Sequence, residues 1–83
     1  NPIRSASVVS FSLPNQGVAS VEVFDPAGRH VATLAEGILQ AGRRETIWDG
    51  TDRAGRRLPA GIYLVRLETR DGIVRTRRIT LLP

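Results

Sequence analysis

The chain has 83 residues with 12 basic and 8 acidic side chains, a formal charge of +4, and every basic residue is arginine. That length holds one small domain, taken as a single unit over residues 1–83, and the 41% hydrophobic share is that of a folded chain rather than a disordered or fibrous one. Without cysteine there are no disulfides, thiolate nucleophiles or thiolate metal sites, and no apolar run reaches the ~18 residues that a membrane-crossing helix needs.

The first regular element is the alternation Val9, Phe11, Leu13 with Ser10 and Ser12 between, the period of a half-buried strand. Pro14-Asn15-Gln16-Gly17 ends it with turn chemistry. A second strand sets Ala19, Val21 and Val23 on one face and Ser20 and Glu22 on the other, stopped by Asp25-Pro26-Ala27-Gly28. A short third strand is expected over about His30 to Ala35, using Val31 and Leu34 and broken by Gly37. The rival reading of that region is a helix over Val31 to Leu39, which Gly37 disfavours. Arg43 to Trp48 is a fourth strand candidate, and a turn-rich stretch from Asp49 to Gly61 follows.

Ile62 to Thr69 reads as a fifth strand with Tyr63, Val65 and Leu67 on one side. Asp71-Gly72 signals a two-residue hairpin, and Ile73 to Leu82 returns as a sixth strand. Parity slips along this last element, because Val74 and Thr76 occupy one face and Ile79 and Leu81 the other. A bulge near Arg77-Arg78 is the expected remedy. Six or seven short strands with a turn every 8 to 12 residues describe an all-β sandwich or small barrel.

Reactive constellations are hard to assemble from this inventory. His30 is the sole histidine and falls at an expected solvated strand start. Asp25, Asp49, Asp52 and Asp71 all sit beside glycine or proline, where aspartate side chains accept from nearby backbone amides. A calcium ion on the Asp49 and Asp52 loop is the alternative, although the spacing misses the alternating pattern of a calcium loop. No nucleophile elbow and no phosphate-cradling glycine run occurs, so no enzyme, cofactor or catalytic residue is expected. Arg43-Arg44, Arg56-Arg57 and Arg75, Arg77 and Arg78 are candidates for a basic face. Four aromatic residues, most of them in core phase, and eight interleaved acids argue against nucleic acid. Trp48 is expected to fill the core, a sugar-stacking platform being its alternative role.

Taken in order, the motifs resemble a known family. They run Asn1-Pro2, Val9-x-Phe11-x-Leu13-Pro14, Asp25-Pro26-Ala27-Gly28-Arg29, Ala41-Gly42, Trp48-Asp49-Gly50, Leu58-Pro59-Ala60-Gly61-Ile62-Tyr63 and Arg78-Ile79-Thr80-Leu81. This set resembles the C-terminal type A sorting domain of the type IX secretion system, itself similar to the Ig-like domain of the flagellar hook-capping protein. The sequence departs from that pattern in ending Leu81-Leu82-Pro83, where a basic residue is frequent, and in placing Thr46 where an apolar residue is common.

The resemblance implies an Ig-like antiparallel β-sandwich cut from a longer secreted protein of a Gram-negative bacterium. Its implied work is non-catalytic sorting and cell-surface attachment, with an outer-membrane translocon and attachment machinery as partners and a catalytic or adhesin domain upstream in the same chain. A carbohydrate-binding or spacer module of an extracellular glycoside hydrolase is the alternative. Trp48, Asp49, Gly50, Pro59, Gly61 and Tyr63 are expected to be structural, with Gly61 admitting a special backbone conformation or a close approach. Arg75, Arg77 and Arg78 on the last strand are the expected partner-recognition residues, because a terminal strand edge offers unpaired backbone groups beside fixed charges.

Overall fold

Where alternate residues are apolar, a chain can bury one face of a strand and leave the other in water, and three segments of this sequence do so without interruption. The computed structural model describes residues 7–83, so the Asn1-Pro2 motif lies outside the described residues. Six strands follow in order: β1 (Ser7–Leu13), β2 (Gly17–Phe24), β3 (His30–Leu39), β4 (Gly42–Trp48), β5 (Gly61–Thr69) and β6 (Val74–Leu81). They form two antiparallel sheets, a larger one ordered β3-β2-β5-β6 and a smaller one of β1 and β4. The fold is the expected all-β, Ig-like sandwich.

Val9, Phe11 and Leu13 of β1 point inward against Ala19, Val21 and Val23 of β2 and Tyr63, Val65 and Leu67 of β5. Val21 and Val23 lie at the centre of the larger sheet and are wholly excluded from water. The smaller sheet is only two strands wide. It covers the larger one unevenly, with β4 meeting β3 and β1 meeting β6.

Sequence and structure part company at the edges. β3 does not stop before Gly37; it runs on to Leu39, with Gly37 opposite Ala19 at a φ of +112°. The helical alternative for that region is excluded by the same pairing. Register shifts in the β2–β3 ladder, at Val21/Glu22 and Val23/Phe24, absorb the irregular spacing of Val31 and Leu34.

The bulge expected near Arg77-Arg78 is absent. β6 pairs with β5 in unbroken register from Glu68↔Val74 to Gly61↔Leu81. Ile79 and Leu81 therefore take the core side, and Val74 and Thr76 face outward with Val74 exposed. The β5–β6 hairpin also has three residues at its tip rather than two. Thr69 N–H donates to the Ile73 carbonyl at 2.9 Å, Gly72 N–H donates to the Thr69 carbonyl at 3.1 Å, and Gly72 holds a φ of +103°. That is a type I turn followed by a left-handed glycine, the common form of a three-residue hairpin.

Candidate recognition surface

Two parts of the molecule carry residues singled out by sequence, and their geometry differs sharply. The first is built where β4 ends and β5 begins. Trp48 is 2% exposed and meets Tyr63 edge-on, with ring centroids 5.1 Å apart and planes at 69°, a favoured aromatic arrangement. Each ring satisfies its polar atom locally: Trp48 Nε1–H donates to the Thr51 carbonyl at 3.0 Å and Tyr63 Oη–H donates to the Pro59 carbonyl at 2.6 Å. The latter bond, back to a carbonyl four residues upstream, is the geometry of the tyrosine corner of Ig-like sandwiches. Burial, with the charge of Asp25 adding to it, pushes the Tyr63 hydroxyl above its ordinary pKa, so it stays a donor through the neutral range.

Asp49 Oδ1 accepts from the Thr51 hydroxyl at 2.6 Å and from Thr51 N–H at 3.1 Å. The hydroxyl bond, helped by the amide, holds its carboxyl below the usual range. Gly50 is buried and its carbonyl accepts from Leu58 N–H. At Gly61 the reason for glycine is conformational: φ is +150°, while nothing lies within 4 Å of where a Cβ would stand, so the close-approach role is not the one it plays.

One signal in this region escaped the sequence reading. Asp25-Pro26-Ala27-Gly28-Arg29 and Asp52-Arg53-Ala54-Gly55-Arg56 share the pattern Asp-x-Ala-Gly-Arg, and they fold into the same loop. In each, aspartate Oδ1 accepts from the arginine N–H (2.9 and 3.0 Å) and Oδ2 accepts from the arginine Nε–H (2.9 and 3.2 Å). In each, the glycine N–H also donates to the aspartate carbonyl at 2.9 Å with the glycine at positive φ, +89° and +83°. The arginine amide does most to lower the pKa of both Asp25 and Asp52, opposed in part by burial. Arg29, Arg53, Arg56 and Arg57 come together with His30 and Asp52 around one open surface concavity.

These contacts bear on the remaining chemical candidates. Asp49 Oδ1 and both oxygens of Asp52 accept from their own loops, and no group of three or more His, Cys, Asp or Glu side chains is placed to hold a metal among the described residues. Trp48 has no free ring face, which removes the sugar-stacking role. His30 is not solvated as expected but half-buried, its Nε2 at 3.0 Å from Thr33 Oγ1 and 3.3 Å from Glu22 Oε2. Phe24 alone among the aromatics leaves the core; the Arg66 guanidinium lies 4.5 Å above its ring on the outer face of the larger sheet.

The second part is the flank where β1 and β6 face each other. Neither strand has a second hydrogen-bonded neighbour among the described residues. Arg75 and Arg77 stand opposite Leu67 and Val65, so their side chains emerge on the core-facing side of β6, whereas Arg78, opposite Leu64, emerges on the outer side. All three are exposed, and among the described residues none has an ion pair or a side-chain hydrogen bond. Together with Val9, Phe11, Val65 and Leu67 they line a cleft of about 260 Å³ between the sheets. Arg43 and Arg44 lie on β4, on the other side of β1, and Arg56 and Arg57 lie on the 49–61 loop; the three arginine groups do not merge into one basic face.

A small two-sheet antiparallel sandwich, pinned by aromatic and aspartate contacts at one end and open along one flank, is an Ig-like domain. The chain belongs to the FlgD Ig-like domain family, whose model matches residues 4–72. Among solved structures it is similar to FlgD from P. aeruginosa, at 29% identity and a TM-score of 0.73, over 94% of this chain and 62% of that one. It also has the fold of FlgD from Xanthomonas campestris, a protein of hook capping in flagellar assembly, at 24% identity and a TM-score of 0.69 over 94% of this chain and 58% of that one. PorZ, a surface component of the type IX secretion system of Porphyromonas gingivalis, shares the fold at 18% identity and a TM-score of 0.56, over 99% of this chain but 12% of that one. The chain thus spans less than two thirds of the FlgD structures it matches. No curated protein sequence matches it.

Proposed function

We propose that this domain is a non-catalytic sorting and surface-attachment module of an exported protein, read by its partner along β6. The observation that carries the reading is an open strand edge holding three arginines with no acidic partner among the described residues. Unpaired backbone groups give a partner affinity, and fixed charges give it orientation and specificity. The outer-membrane translocon and attachment machinery of the type IX system are the partners this reading assigns, and a catalytic or adhesin domain of the same polypeptide is the cargo. That the carboxylates described above accept from their own loops supports the non-catalytic reading.

Family membership and the 29% identity to a FlgD structure favour a second reading, an assembly domain that works like that of a hook cap. One experiment separates the two. The 83-residue domain is fused behind a periplasmic reporter in a host that has the type IX system and, separately, in one that has flagella but lacks that system. Export and surface display in the first host only support sorting. Retention of the reporter in the first host, beside a working known sorting domain, overturns it.

A further inference from the structure

We propose that the cleft between β1 and β6 seats an extended acidic segment of a partner protein, which adds to the free edge of β1 as a third strand of the smaller sheet. This rests on the recognition reading above and narrows it to one site and one partner chemistry. The space exists because two strands cover four: β1 and β6 lie in different sheets and meet over only a short stretch, leaving Val65 and Leu67 at the floor of the cleft between them. The edge exists because β1 has β4 as its single partner among the described residues, and alternate N–H and C=O groups along its other side have no strand to pair with.

Charge decides which strand fits. Arg75 and Arg77 project toward the core side of an edge strand, where an apolar residue would ordinarily stand, and no acidic residue lines the cleft. A second copy of β6 would set arginine against arginine, and a neutral strand would strip water from both guanidinium groups without replacing it. A strand with carboxylates two residues apart offers instead charge-assisted, paired N–H···O bonds at about the 6.7 Å spacing of successive same-face positions. The alternate side chains of that strand would emerge beside Val8, which is 62% exposed and lies across from Ile47, 67% exposed, on the outer face of the small sheet. Apolar residues belong there. The cleft therefore selects an extended segment that alternates acidic and aliphatic residues, and the inward arginines that bar self-association admit it.

The test uses ¹⁵N-labelled protein and three synthetic peptides of about nine residues, long enough to span β1: alternating Glu-Val, alternating Lys-Val, and a Glu-Gly peptide of equal charge that resists strand formation. With the Glu-Val peptide, shifts are expected along β1 and β6, with new protection of alternate β1 amides from hydrogen exchange. The Arg75→Glu/Arg77→Glu variant is expected to bind it at least ~10-fold more weakly and to gain binding of the Lys-Val peptide. Unperturbed β1 amides overturn the proposal. So do equal responses to Glu-Val and Glu-Gly, which would mean diffuse charge attraction, and β1 protection that rises with protein concentration alone, which would mean a second copy. Reporter export measured on the same variant keeps the two readings apart. If the parent domain binds no peptide yet the variant loses export, the cleft falls and sorting stands; if the parent binds the Glu-Val peptide yet the variant is exported like the parent, recognition through these arginines falls and the cleft stands.

Discussion

The Trp48–Tyr63 end and the β1–β6 flank use the same residue types to opposite effect. At the first, each polar atom described above has a local partner: the indole on Thr51, the phenol on Pro59, the two aspartate–arginine loops closed on themselves. Along the second, three arginines have no partner among the described residues and a strand edge lies open. Satisfied groups add stability, and unsatisfied exposed ones add little to it but remain available for binding. On the proposed reading, stability and recognition fall in different places of the domain.

The contrast can be broken most severely at Trp48. Trp48→Ala removes the largest buried side chain and half of the aromatic pair, and should cost about 3–5 kcal/mol in urea unfolding, enough to unfold much of the population. Gly28→Ala and Gly55→Ala test the paired loops. Both positions have open space for a Cβ but a positive φ, so each should cost about 1–2 kcal/mol from backbone conformation alone, and nearly the same amount as the other. Unequal losses would show that the two loops are alike in sequence only. Tyr63→Phe leaves the Pro59 carbonyl without its donor and should cost about 1 kcal/mol with the core otherwise intact.

The aspartates add a pH dependence. Asp25, Asp49 and Asp52 are held below the ordinary carboxylate range by amide, hydroxyl and arginine donors, so the folded protein takes up their protons less readily than the unfolded chain. Their stabilising effect is complete above about pH 5 and is lost as the pH falls through about 3.9 and below. Urea midpoints followed from pH 7 to pH 2.5 should fall in that window, and Asp25→Asn with Asp52→Asn should lower the neutral plateau and flatten the acid limb.

How well the sequence foretold each region follows from what the region demands of it. β1, β2 and β5 are covered by another sheet, so every second residue must be apolar and the alternation shows. β6 is only partly covered. Arg75 and Arg77 can therefore occupy core-side positions, which made Val74 and Thr76 look like the buried face and called for a bulge that the ladder does not contain. β3 passes through Gly37 because pairing with Ala19 asks only for backbone there. The burial of Trp48 and Tyr63 and the loop hydrogen bonds of the turn aspartates follow from residue type and turn chemistry. The second Asp-x-Ala-Gly-Arg loop was equally readable and is visible in hindsight as a short internal repeat.

The most direct measurement pairs stability with recognition in one variant, Arg75→Glu/Arg77→Glu. Its urea unfolding free energy should stay within about 0.5 kcal/mol of the parent, while display of the fused reporter at the cell surface is lost. A large drop in stability with display intact would contradict the division of labour between the pinned end and the open flank.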